Sequence, residues 1–75
     1  MNIISGKYQH YKGQYYQVIG LAHHSEDLTE YVVYRALYNS PEFGDQALWI
    51  RPLENFIAEV EIDGIKKSRF KFIKA

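Results

Sequence analysis

Two apolar runs dominate the pattern of the chain. Residues 16–22 (Tyr-Gln-Val-Ile-Gly-Leu-Ala) and 31–38 (Tyr-Val-Val-Tyr-Arg-Ala-Leu-Tyr) are apolar on both alternating faces, broken only by Gln17 and Arg35. The β-branched Val18, Ile19, Val32 and Val33, set among tyrosines, predict strands rather than helices. Apolarity on both sides of antiparallel strands predicts strong curvature, as in small barrels, and mid-strand Gly20 is the expected bulge or kink. Upstream, residues 6–11 read as a strand with Tyr8 and His10 on one face and Lys7, Gln9 and Tyr11 on the other. Gly13 suits the turn Lys12-Gly13-Gln14 because it accepts positive φ. A three-residue loop there places Tyr11 opposite Tyr15, His10 opposite Tyr16 and Tyr8 opposite Val18, joining apolar partners across the strands.

Residues 39–46 carry Asn, Ser, Pro, Gly and Asp and predict a loop, with Phe43 tucked onto the barrel. Residues 47–51 form a short fourth strand ended by Pro52, which has no N–H for a ladder. Residues 53–56 are too few for a stable helix and suit one 3₁₀ turn. The last two strands meet near Asp63-Gly64. A two-residue turn there pairs Val60 with Lys67 and leaves Phe70 and Phe72 facing away from Ala58 and Val60. A longer loop restores the apolar face and pairs Glu61 with Arg69 and Glu59 with Lys71, so the longer loop is expected.

This order gives an all-β fold, a small SH3-like barrel of five or six antiparallel strands with one short 3₁₀ turn near Leu53–Phe56. An OB-type barrel fits less well, because it usually includes a real helix. Residues 1–75 make a single domain, near the size at which a chain buries only about 60% of its unfolded surface. There is no cysteine to staple it; seven Tyr, four Phe and one Trp offer large buried areas instead.

Nine basic and nine acidic residues cancel, so net charge supplies no overall field toward nucleic acid. No apolar run has the length of a signal peptide or of a membrane span, and a cytoplasmic location without membrane association is expected.

Several motifs resemble a small bacterial family, domain of unknown function 1653. They are Gly6-x-Tyr8-x-His10-Tyr11-Lys12-Gly13 with Tyr16-x-Val18, then Gly20-x-Ala22-x-His24-Ser25-Glu26. Val32-Val33-Tyr34, Leu37-Tyr38 and Trp49-x-Arg51-Pro52 with Phe56 complete the likeness. Asp27 stands where the family pattern has Thr, and Ser68 where it has Pro. The resemblance implies a compact β-barrel and no particular reaction.

The densest titratable cluster lies in the polar stretch 23–30. His10, His24 and Glu26 are the candidates for acid–base catalysis, since imidazole and carboxylate can move protons near neutral pH. His24 and Glu26 share a face of an extended chain and are the weak candidates for a metal site, although no further ligand stands at a diagnostic spacing. In the alternative stretch conformation, Ser25 or Asp27 bonds to backbone amides. Seventy-five residues leave little room for an enclosed pocket, so a catalytic site would need a dimer interface, and the chain reads as a binding module rather than an enzyme.

Tyr8, Tyr34, Tyr38, Trp49 and Arg51 are the candidate ligand-binding residues. As an aromatic face they suit a peptide or protein partner, the first expectation. The same rings with the cationic run Lys66, Lys67, Arg69, Lys71 and Lys74 suit a single nucleic-acid strand, the alternative. The competing structural roles are core rings and an edge strand protected by lysines. No cofactor is implied, and a monomer or weak homodimer is expected.

Overall fold

The computed structural model describes residues 3–75. Five antiparallel strands make the main sheet: β1 (Gly6–His10), β2 (Tyr15–His23), β3 (Glu30–Ala36), β6 (Leu48–Pro52) and β9 (Phe70–Lys74), in the order β6-β3-β2-β1-β9. Two hairpins flank it. β4 (Asn39–Ser40) pairs with β5 (Gly44–Asp45), and β7 (Glu59–Ile62) with β8 (Ile65–Ser68). The polar 39–46 segment therefore holds a two-residue ladder within the expected loop.

Alternation along β1, β2 and β3 buries Tyr8, Tyr16, Val18, Val32, Tyr34 and Ala36 on one side. Leu53, Phe56 and Phe70 close over them. Phe56 and Phe70 stack with centroids 4.0 Å apart and planes 5° from parallel. The Gly20 expectation holds: the β2–β3 register slips between Val18 and Gly20, leaving Ile19 as the extra residue.

Four details differ from the sequence reading. The β1–β2 hairpin has a three-residue loop, but it is Tyr11-Lys12-Gly13, with the His10 amide donating to the Gln14 carbonyl at 2.8 Å. Tyr8 therefore lies opposite Tyr16, not Val18. The one-residue shift on each strand keeps parity, so the buried face is unchanged. The Leu53–Phe56 turn is α-helical, not 3₁₀. The Ile57 amide donates back to the Leu53 carbonyl at 3.1 Å, and one 3₁₀-type bond from Ala58 to Asn55 follows. Phe43 reaches Trp49 edge-to-face at 4.9 Å but remains 59% exposed, so it caps that ring without entering the core.

The fourth correction concerns the last hairpin. Val60 pairs with Lys67 and Ile62 with Ile65, a two-residue Asp63-Gly64 turn in which both residues have positive φ. The expectation of a longer loop assumed one straight strand from residue 65 onward. Instead the chain changes sheets at Arg69, whose amide donates to the Ala58 carbonyl and whose carbonyl accepts from Tyr11. Phe70 then pairs with His10 in the main sheet and is buried there. The break satisfies both the tight turn and the apolar face. It also dissolves the expected charge pairs, because Glu59 faces Ser68 and Glu61 faces Lys66, while Lys71 faces Gln9.

Candidate binding site

The register between β3 and β6 sets Tyr34 opposite Trp49 and Val32 opposite Arg51. Directly opposed residues share a face, so β6 directs Trp49 and Arg51 toward the core while Leu48 and Ile50 lie exposed on the other side. A guanidinium is thus carried over the edge of an aromatic core. Its carbon lies 5.4 Å from the centroid of Phe70. Its Nε donates to the Tyr34 hydroxyl at 3.3 Å, and its Nη1 donates to Asn55 Oδ1 at 2.5 Å. Residue 55 sits in the helical turn four positions on, placed there by the strand ending at Pro52.

Around this centre the tyrosines form a connected rim. The Tyr16 and Tyr38 hydroxyls are 2.7 Å apart, and the Tyr16 ring meets Tyr34, Tyr38 and Phe70 edge-on at 5.3–5.8 Å. Burial, and next the bond to Tyr38, raise the Tyr16 phenol well above its ordinary ionisation range. His10 packs edge-on against Phe70 at 4.9 Å and accepts the Lys12 amide on Nδ1 at 3.2 Å. Burial and then the positive charges of Arg51, Lys12 and Arg69 lower its pKa below the ordinary imidazole value.

The sequence candidates therefore divide. Tyr38, Trp49, Arg51 and His10 gather on this rim, each half-buried. Tyr8 and Tyr34 are core residues, 6% and 5% exposed, and contribute no free ring face. The Tyr8 hydroxyl bonds the Ile4 carbonyl at 2.7 Å, and only the Tyr34 hydroxyl takes part, through Arg51. Burial raises the Tyr8 phenol pKa, opposed in part by the Ile4 bond.

His24 and Glu26 lie apart from the rim, past the far end of β2. His24 is eight positions along the chain from Tyr16, up to about 25 Å of strand. His24 Nδ1 accepts the Glu26 backbone amide at 3.2 Å, so Glu26 meets His24 through its main chain rather than its carboxylate. The nearby contact to Asp27 Oδ1 is 3.6 Å. Asp27 takes the Thr29 amide at 2.9 Å, the expected side-chain turn, and that bond holds its carboxyl below its ordinary value. Leu28 takes a left-handed φ of 62° in the same turn. Among the described residues, no three His, Asp or Glu side chains gather as a metal site.

Tyr16, Phe70 and Asn55 belong to the site but were not candidates. The Arg51–Asn55 spacing of four was visible, yet it acquires meaning only when a strand passes directly into a helical turn. Tyr16 meets Tyr38 only because the β2–β3 register brings residues 22 apart together.

Among the described residues, no helix is long and apolar enough to cross a membrane. Among curated proteins none matches the chain. A crystal structure of a protein of the DUF1653 family from Bordetella bronchiseptica is similar, with a TM-score of 0.84 and 30% identity. The likeness covers 95% of this chain and 87% of that one. The family model described as protein of unknown function (DUF1653) matches residues 6–72. With that span matched and a similar fold in a relative of 30% identity, the chain belongs to the DUF1653 family.

Proposed function

We propose that the protein is a small binding module with an SH3-like barrel, which holds a peptide or protein segment on Tyr38, Trp49 and Arg51. Arg51 receives a carboxylate of that partner. The strand order supports the barrel reading: the last strand, β9, lies beside the first, with one helical turn between β6 and the final hairpin. The bulge at Ile19 lets β2 bend, in keeping with a curled sheet.

The observation that carries the proposal is the state of Arg51. Its mapped hydrogen-bond partners are a hydroxyl and an amide. Among the described residues, the one ion pair within 4.0 Å is His24–Asp27, so no carboxylate neutralises Arg51. A guanidinium has five N–H donors in a planar fork suited to a carboxylate. Two are engaged internally, which orients the fork before a ligand arrives and reduces the entropy lost on binding. Half-buried Tyr38 and Trp49, with Phe43 against Trp49, supply apolar contact beside it.

The test is selection of a random peptide-display library on the purified protein and on Arg51→Met, which keeps the apolar stem. The wild type should enrich peptides sharing an acidic residue beside an apolar one, and Arg51→Met should lose them while melting as a folded protein. Enrichment of basic peptides, equal enrichment by both proteins, or no enrichment would overturn the proposal.

A further inference from the structure

The change of sheet at Arg69 leaves Lys67 and Lys71 with no acid directly across their ladders. Lys67 faces Val60 and Lys71 faces Gln9 across their ladders. Neither has a carboxylate within 4.0 Å among the described residues. Glu59, the acid nearest this corner along the ladder, is opposite Ser68. Between β1 and the β8–β9 corner lies a cleft of about 500 Å³, lined by Gln9, His10, Tyr11, Lys67, Ser68 and Lys71. The lining contains donors of several kinds and no acidic residue. We infer that this cleft binds a phosphate group, with Lys67 and Lys71 as its charged contacts and Gln9, Ser68 and Tyr11 as neutral hydrogen-bonding partners.

Two further observations agree with this site. The positive charges of Arg51, Lys12 and Arg69 all reach His10, so the potential at the cleft wall is positive beyond the two lining lysines. The acidic residues Glu30 and Glu54 line a separate cleft, with Leu28, Thr29, Pro52 and Leu53. Glu26 and Asp27 lie in the loop beside it. Net charge is zero, but local potential rather than net charge decides where an anion is drawn. His10 borders both this cleft and the Arg51 rim, but the cleft's charged contacts are different residues.

The phosphate can belong to a small molecule or to a nucleic-acid strand. Nitrogen-15 NMR titrations with inorganic pyrophosphate and with an eight-nucleotide oligothymidylate, at low ionic strength, distinguish them. Saturable shifts confined to the amides of residues 9–11 and 67–71 are expected with both probes. Equal affinity per phosphate group points to a small ligand. Tighter oligonucleotide binding, with a steep salt dependence, points to a strand. Both outcomes support the site.

Lys67→Ala/Lys71→Ala should weaken pyrophosphate binding about tenfold or more, as expected for charge-assisted contacts. Lys66→Ala/Lys74→Ala, with the same change in net charge outside the lining, should leave it within about twofold. All four lysines are exposed, so both doubles should stay folded, as their spectra will show. Equal weakening by the two doubles, diffuse shifts, or no saturable binding would overturn the inference.

Discussion

Arg51 lies over the ring of Phe70 at 5.4 Å, although the two residues are on opposite edge strands of the main sheet. The contact requires the sheet to curl until β6 and β9 approach across the core. Phe70 reaches it because the chain leaves the last hairpin at Arg69. Phe70→Ala removes the partner of the Phe56 stack and the floor under Arg51 together. A buried Phe-to-Ala change costs about 3–5 kcal/mol, a large share of the stability available to so small a chain. Chemical denaturation should show most of the Phe70→Ala molecules unfolded, whereas Phe43→Ala, at an exposed ring, should shift the midpoint little.

At Gly6 the start of β1 lies close against the end of β9. A Cβ there would lie 2.5 Å from the Lys74 carbonyl oxygen and 2.9 Å from the Ala75 Cα, and the residue has φ +150°. Gly6→Ala should cost roughly 1–3 kcal/mol through this strain. Gly20→Ala, with open space around it, should stay within about 0.5 kcal/mol. Urea midpoints of the two variants compare them directly.

The Tyr16–Tyr38 hydroxyl pair predicts non-additive substitutions. Tyr38→Phe leaves the buried Tyr16 hydroxyl without its partner and should cost about 1–2 kcal/mol. Tyr16→Phe/Tyr38→Phe should cost less than the sum of the single changes. Because the folded Tyr16 phenol ionises above its unfolded value of 10.0, its contribution is present below that pH and declines as pH rises beyond it. Ultraviolet titration should show one tyrosine ionising after the others, and earlier in Tyr38→Phe.

His10 predicts the opposite limb of the pH profile. Its folded pKa lies below the ordinary 6.5, so the unfolded chain binds more protons between the two values. Stability should therefore fall as pH drops through that window. His10→Gln should flatten this segment in melting curves recorded from pH 7.5 to 5; an unchanged slope would assign the dependence to other groups.

The sequence made the strands legible wherever alternation and β-branching agreed, as at Val18 and Val32, and the place of the bulge followed from Gly20. It misled at the last hairpin, because strand parity reports faces only while a strand remains in one sheet. Val60 and Phe70 belong to different sheets, and no local signal at Arg69 announces the change. The site was half legible for a related reason. Aromatic type marked Tyr34 and Tyr38 alike, but burial separated them, since only Tyr38 lies beyond the end of β3. The titratable loop drew notice by composition, yet its residues satisfy one another's backbone, as His24 and Asp27 do.

The central claim is that Arg51 receives a carboxylate, and a double-mutant cycle tests it most directly. Binding of one peptide selected by the wild-type protein is measured by calorimetry against its Glu-to-Gln form, each with wild type and Arg51→Met. A coupling of about 1–3 kcal/mol between Arg51 and that glutamate is predicted. A coupling near zero, with both forms bound equally well by both proteins, would contradict it.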